Sequence, residues 1–294
     1  MRAAIAFAAA AAAAAALYFL RRRLKKKPPL LLFDVDGTLA VPAQKADPAI
    51  VEMFARLRAR GYLVGIVGAG DFEKQEGQLG GSDNGGLRRR LDFCFSENGV
   101  HSFRGETLLH CKSIVDHVGA ANWKAFEDGL DELLKRVAGE AEGLLQQAAG
   151  KGARLADRGT FLERRQCTCN VCVIGRTPTL SKAERAAFDA ADRADGLRQR
   201  VLAELMAKYG PGTPCDLSFS IGGQIGIDCA PCGWDKTFCL QFLPADEYEV
   251  IHFFGDKTGE GGGDYELYEH ARTIGHTVES AEHTLELVEK LFLS

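Results

Sequence analysis

Apolar runs and amphipathic stretches follow one another along most of this chain. Leu30-Leu31-Leu32-Phe33 is apolar throughout and ends at two acids and a glycine, the pattern of a buried strand in a parallel sheet. Ile50–Arg60 is spaced like a helix and leads into a second strand-like run, Tyr62–Val67, which continues a βαβ pattern. A third such run, Val250-Ile251-His252-Phe253-Phe254, lies close to the end. Between about 105 and 233 the texture differs, with a long helical stretch Ser113–Ala149 followed by short runs. Phe161–Ile174 and Leu217–Ile227 alternate in a way compatible with strands. Gly150–Gly152, in a polar segment reaching Arg158, reads as an exposed loop. The pattern therefore predicts an α/β protein whose core, residues 30–104 and 234–294, is interrupted by an inserted unit at 105–233.

The first 27 residues stand apart. Ala3 to Leu20 is an apolar run of 18, followed by Arg21-Arg22-Arg23-Leu24-Lys25-Lys26-Lys27 and two prolines. Residues 3–20 approach the length of a membrane span, although alanine drives insertion weakly. Residues 1–29 are thus expected to be an anchor, with the basic flank keeping the body in the cytoplasm. A cleaved secretory signal would carry its charges before the run, and a soluble alanine-rich leader is the remaining alternative. The net charge is −4, yet the first 27 residues hold seven basic residues and no acid, leaving −11 on the body. An acidic body argues against nucleic acid as a partner. Nine cysteines, an odd number without framework spacing, fit a reducing compartment.

Candidate chemistry sits where two of the strand-like runs end. Asp34-Val35-Asp36-Gly37-Thr38 follows the first, placing two carboxylates where open α/β sheets bind ligands. Such a pair can hold a divalent cation, offer a nucleophilic oxygen and carry a proton. An acidic turn is the plainer reading of those five residues alone. Gly255-Asp256-Lys257-Thr258 and Asp264 follow the last run, where Asp256 and Asp264 can converge with Asp34 and Asp36 on one hard-oxygen site suited to Mg2+. Lys236, in Gly233-Trp234-Asp235-Lys236 at a predicted helix start, can neutralise a phosphoryl group.

These motifs resemble the haloacid dehalogenase superfamily and, within it, the eukaryotic phosphomannomutases. Matching stretches include Leu32–Leu39, Asp71-Phe72-Glu73-Lys74, Ser96-Glu97-Asn98-Gly99, Gly159-Thr160-Phe161-Leu162-Glu163, Ile174-Gly175-Arg176, Ser220–Ile225, Gly233–Lys236 and Phe253–Thr258. They run in order over nearly everything from Leu30 to Phe292. The resemblance implies a haloacid dehalogenase-like Rossmannoid core, a parallel sheet with flanking helices. It also implies that the insert is an α+β cap with an antiparallel sheet, closing over a hexose phosphate and forming a homodimer contact. It implies Asp34 as nucleophile, Asp36 as general acid and base, and Lys236 as stabiliser of the phosphoryl charge. Arg165, Arg176 and Arg185 would clasp the distal phosphate, and Asp228 would bind sugar hydroxyls. The implied activity interconverts mannose 6-phosphate and mannose 1-phosphate for GDP-mannose synthesis and glycosylation, with Mg2+ and a hexose 1,6-bisphosphate activator.

Departures from the family pattern leave alternatives open. Ala43 stands in place of an arginine, Gly70 and Gly226 in place of serines, Gly263 in place of an asparagine, and His270 in place of an acid. Losing one charge-assisted phosphate contact costs about 1.5–3 kcal/mol. A tethered paralogue of weak or no activity, and a sugar phosphatase, are therefore the alternatives to a mutase. Cys167-Thr168-Cys169-Asn170-Val171-Cys172 and Cys229-Ala230-Pro231-Cys232 add a Zn2+ or redox alternative, set against plain buried thiols.

Overall fold

The computed structural model describes residues 27–42, 44–80, 86–151, 154, 159–176 and 180–294. The expected anchor at 1–29 lies almost wholly outside the described residues, as do Ala43 and most of the loop from Gly150 to Arg158. Among the described residues no helix is long and apolar enough to cross a membrane.

Strand β1 (Leu30–Phe33) is buried at every position. Leu31 and Phe33 pack against Ile50, Met53, Phe54 and Leu57 of helix α1 (Pro48–Ala59). Leu30 and Leu32 face the opposite layer, with Leu240, Leu243 and Tyr248. Two apolar layers on a single strand explain why the run has no polar alternation. Around β1 lie β2 (Leu63–Val67), β3 (Phe93–Ser96), β4 (His101–Arg104), β5 (Thr107–His110), β10 (Ile251–Gly255) and β11 (Ile274–Thr277). Their order is β11-β10-β1-β2-β3-β4-β5, parallel through β3 and antiparallel for the last two.

Helix α2 (Phe72–Leu79) follows β2 and starts because Asp71 accepts a hydrogen bond from the Lys74 amide at 2.8 Å. The short α3 (Gly86–Arg90) precedes β3. The expected boundary at 105 falls inside a hairpin. Gly105, with φ +53°, turns the chain so that Thr107–His110 pairs with β4 in the large sheet. The connection to the inserted unit therefore begins only after His110.

That unit has its own layers. The stretch expected as one helix from Ser113 is broken at Gly119, φ +87°, into α4 (Ile114–Val118) and α5 (Ala120–Ala149). Trp123, Phe126, Leu130, Leu133, the partly buried Val137, Ala141 and Leu144 recur at spacings of three to four and form the apolar stripe of α5. The stripe covers a four-stranded antiparallel sheet ordered β6 (Thr160–Arg164), β7 (Cys169–Arg176), β9 (Gly226–Pro231) and β8 (Leu217–Gly222). Helices α6 (Lys182–Asp195) and α7 (Leu197–Tyr209) join β7 to β8. A reciprocal cap starts α6: Ser181 Oγ accepts from the Glu184 amide, and the Glu184 carboxylate accepts from the Ser181 amide. Helices α8 (Tyr265–Tyr268) and α9 (Ala281–Val288) complete the core. The architecture is a haloacid dehalogenase-like core carrying an α+β cap.

Candidate active site

The carboxyl edge of the parallel strands gathers the acids. Asp34 directly follows β1, and its amide donates to Phe254 O at 2.8 Å, extending the β1–β10 ladder. Asp256 directly follows β10, so the two lie side by side. Asp264 lies in the loop beyond, which folds back so that the Lys257 amide donates to Asp264 Oδ2 at 2.9 Å. Carboxylate oxygens of Asp34, Asp256 and Asp264 all lie within 4.8 Å of one another. Gly37 is required in two ways. Its φ is +100°, and a Cβ there would collide with the Asp256 carboxylate.

Lys236 enters from the other side. It begins the 3-10 helix Lys236–Phe242, capped by Asp235, at the helix start expected from sequence. Its ammonium donates to Asp34 Oδ1 and Asp264 Oδ1. Burial opposes the charge on Lys236, but the two carboxylates outweigh it and hold the ammonium above the usual lysine range. Burial pushes Asp34 up to about 6, with Lys236 opposing and Asp264 adding to the rise. Asp256 is raised by burial and then by Asp264, and its Oδ1 is buried with no hydrogen-bond partner. Three crowded hard-oxygen donors, one of them orphaned, suit a divalent cation.

Asp36 departs from the expected metal set. Its carboxylate lies outside the three-acid cluster, accepting from Lys74 Nζ and from Gln78 Nε2 at 2.9 Å. The tight loop of Gly37 to Ala40, closed by amides on Val35 O, turns residue 36 away from residue 34. That position still suits proton transfer beside Asp34. Lys74 belongs to a motif noted in the sequence, but its partner could be found only in the fold.

On the cap, strand pairing aligns Asn170 with Asp228. Asn170 Nδ2 donates to Asp228 Oδ1 at 2.8 Å, and Arg176 Nη2 donates to Asn170 Oδ1 at 2.7 Å. Arg165 Nη1 lies 3.3 Å from both Asp228 Oδ1 and Ala69 O, so the cap reaches the loop after β2. Arg176 Nε lies 2.8 Å from the Glu163 carboxylate. Arg185, in the first turn of α6, is half-buried and donates to Leu180 O at 3.3 Å. Arg165, Arg176 and Asp228 thus belong to one network, whereas the Arg185 hydrogen bond to Leu180 O lies outside it. Gly226, a departure from the family pattern, has a counterpart: the Asn170 amide fills the space that a Cβ there would need. Gly70 instead serves through its backbone, its carbonyl accepting from the Glu97 amide at 2.9 Å. His270 Nδ1 accepts from the Arg272 amide at 3.1 Å.

Sequence reasoning missed two buried charges. Arg198, 1% exposed, pairs with Asp189 and Asp192 at 2.6 Å each. Its Nη1 also reaches the carbonyls of Gly223 and Gly226 at 3.2 and 3.4 Å, in the β8–β9 turn that leads to Asp228. Arg198→Lys keeps the charge but lacks the fork. It is expected to lower stability by about 1.5–3 kcal/mol, checked by denaturant unfolding, and parent-like stability would rule out this clamp. Glu97 is fully buried. Its Oε2 accepts from the Cys167 amide at 2.9 Å and from the amide and hydroxyl of Thr168 at 2.6 Å each. Burial raises its carboxyl, with those donors opposing. Glu97 ties the core to the β6–β7 turn of the cap, a pairing that spans some seventy residues of chain and leaves no local signature. Among the described residues no three thiols come together as metal ligands, so the Zn2+ alternative finds no site there.

The eukaryotic phosphomannomutase family model matches residues 50–138 and 151–294. The chain is 39% identical over 263 residues to a phosphomannomutase of Arabidopsis thaliana, covering 90% of this chain and 96% of that protein. With a phosphomannomutase of Galdieria sulphuraria the identity is 41% over 261 residues, covering 89% and 93%. With a probable phosphomannomutase of Caenorhabditis elegans it is 40% over 261 residues, covering 89% and 94%. A solved trehalose-6-phosphate phosphatase related protein superposes with a TM-score of 0.52 at 13% identity, covering 90% of this chain and 97% of that one, a likeness of fold alone. The family model and the relatives agree, and the chain belongs to the eukaryotic phosphomannomutase family.

Proposed function

We propose that this protein interconverts mannose 6-phosphate and mannose 1-phosphate through an aspartyl-phosphate on Asp34. The observation that carries the reading is the buried Asp34–Lys236–Asp264 contact on the core, faced by a cap network of Arg165, Arg176 and Asp228. Asp34 attacks the phosphorus of a hexose 1,6-bisphosphate in line, and the bond from phosphorus to the sugar oxygen breaks. Asp36, held by Lys74 and Gln78, gives that oxygen a proton. Asp36 then takes the proton from the free hydroxyl of a hexose monophosphate, whose oxygen attacks the aspartyl-phosphate and frees Asp34, leaving a bisphosphate to be presented the other way round. Lys236 offsets charge on the phosphoryl oxygens throughout.

Mg2+ would be held by Asp34, Asp256 and Asp264, and when bound it neutralises charge on the transferring phosphoryl group. Arg165, Arg176 and Arg185 hold the distal phosphate in this reading, and Asp228 holds sugar hydroxyls. The cap excludes water from the aspartyl-phosphate and forms the homodimer contact.

The test is conversion of mannose 1-phosphate to mannose 6-phosphate by the full chain, with Mg2+ and a hexose 1,6-bisphosphate, followed alongside release of free phosphate. Conversion without release supports the mutase. Release alone would make the protein a phosphatase, and neither product from folded protein would leave a sugar phosphate-binding paralogue. Arg176→Ala is expected to raise KM about tenfold to a hundredfold with a smaller change in kcat, since it removes a phosphate contact remote from the reacting atoms. An unchanged KM would remove Arg176 from the clasp.

A further inference from the structure

Two chain crossings join the cap to the core, one after β5 and one between β9 and the 3-10 turn. Both meet at a small apolar cluster of Val100, Cys167 and Trp234, with Cys111, Ala230 and Phe238 packed against it. His117 lies edge-on to Trp234 there, and Asn98 Nδ2 donates to Trp234 O at 3.1 Å. Cys111 belongs to the first crossing and is partly exposed, while Cys167 lies on the β6–β7 turn of the cap and is buried. Their sulfurs are 3.6 Å apart. The adjacent Glu97 contacts seat this same turn on the core.

We propose that Cys111 and Cys167 form a modification site, a thiol pair that low-molecular-weight disulfides convert to a disulfide, holding the cap in its seated position. Asp34 and Asp264 are buried, and Arg165 of the cap reaches Ala69 O on the core, so in this proposal a hexose phosphate enters when the cap swings on these two crossings. A covalent bond from one crossing to the seated cap turn restrains that swing. The partly exposed Cys111 reacts first. Its thiol loses a proton to solvent, and its sulfur attacks one sulfur of oxidised glutathione, expelling one glutathione thiolate. Cys167 then loses its proton and attacks the Cys111 sulfur, expelling the second. The two protein thiols give up two electrons and two protons, and the reagent becomes two molecules of glutathione. Burial and then the Glu97 carboxylate raise the Cys167 thiol, so the second step quickens toward alkaline pH.

The other close pair does not compete for access. Cys169 and Cys229 face each other across β7 and β9 in the cap interior, and both are buried.

The experiment treats the folded full chain with oxidised glutathione at pH 8 and maps the tryptic peptides without reduction. The expected product joins residues 105–112 to residues 166–176, and it is absent after dithiothreitol and in Cys111→Ser. Mutase turnover is expected to fall about tenfold on oxidation and to return with dithiothreitol, while Cys111→Ser keeps its turnover under both conditions. The effect on turnover rests on the mutase reading, whereas the peptide map reads the bond whatever the protein catalyses. A persistent glutathione adduct on Cys111, or a cross-link from residues 166–176 to the Cys229 peptide instead, would overturn the proposed pair. A mapped 111–167 bond that leaves turnover unchanged in an active mutase would overturn the restraint.

Discussion

Asp34→Asn is expected to reduce turnover by about ten-thousandfold or more while leaving a folded protein. The amide keeps the shape of the side chain and can still accept from Lys236, but it cannot form the aspartyl-phosphate. The substitution also removes one of three acids crowded within 4.8 Å, the one that burial already pushes up to about 6. Stability is therefore expected to hold or to rise, in contrast to the usual outcome at a position this buried. The measurements are kcat with Mg2+ and bisphosphate present, and Tm by calorimetry. Turnover within a hundredfold of the parent would remove Asp34 from the nucleophile's role. A large fall in Tm would instead assign Asp34 a structural role in anchoring Lys236.

The second large effect is expected from Lys236→Met, and it runs the opposite way on stability. Methionine fills much of the lysine volume but takes the buried cation from between Asp34 and Asp264. Breaking a buried pair by removing one partner costs about 3–5 kcal/mol, because the surviving charges stay buried and repel. Turnover is expected to be lost as well, since no cation on this side offsets the phosphoryl charge. The Asp34→Asn/Lys236→Met double variant is expected to recover part of the stability, because one surviving charge is then gone. Added Mg2+ is expected to raise the Tm of Lys236→Met more than that of the parent. A single variant with parent-like Tm and no extra response to Mg2+ would show that the Lys236 contacts do not govern the site.

The departures from the family pattern read differently once the side chains around them are known. Gly226 on its own looks like a lost hydroxyl, yet in the fold Asn170 occupies that space and ties Arg176 to Asp228. Gly70 contributes a carbonyl to the Glu97 amide. A count of missing groups therefore overstates the loss, because a cap network can form around a smaller residue.

The catalytic edge was legible in the chain because its parts are local. An apolar run buried on both faces must be an internal strand, and acids directly after it must emerge at the strand's carboxyl end. Asp34 and Asp256 follow from that logic alone, as do β1, β2 and β10; the alternation expected in the cap holds in β8 but not in β7, which is buried almost throughout. Asp36 shows its limit. It stands two residues from Asp34, but the loop geometry sends its carboxylate to Lys74 and Gln78 rather than into the acid cluster. The strand Thr107–His110 shows the same limit, since a single turn at Gly105 decided which sheet received it.

The sequence by itself determined core strands β1, β2 and β10, the nucleophile candidate, three of the acids that can hold a cation and the family. Each of these is written in neighbouring residues and depends on backbone periodicity. Only the tertiary structure decided the Arg198 clamp on the β8–β9 turn, the Glu97 seat for the cap, the partner of Asp36 and the facing of Cys111 and Cys167. In each of these the partners belong to different elements, and their meeting depends on how sheets and helices pack. Local propensity carries no record of that packing, so it becomes visible only when the layers are assembled.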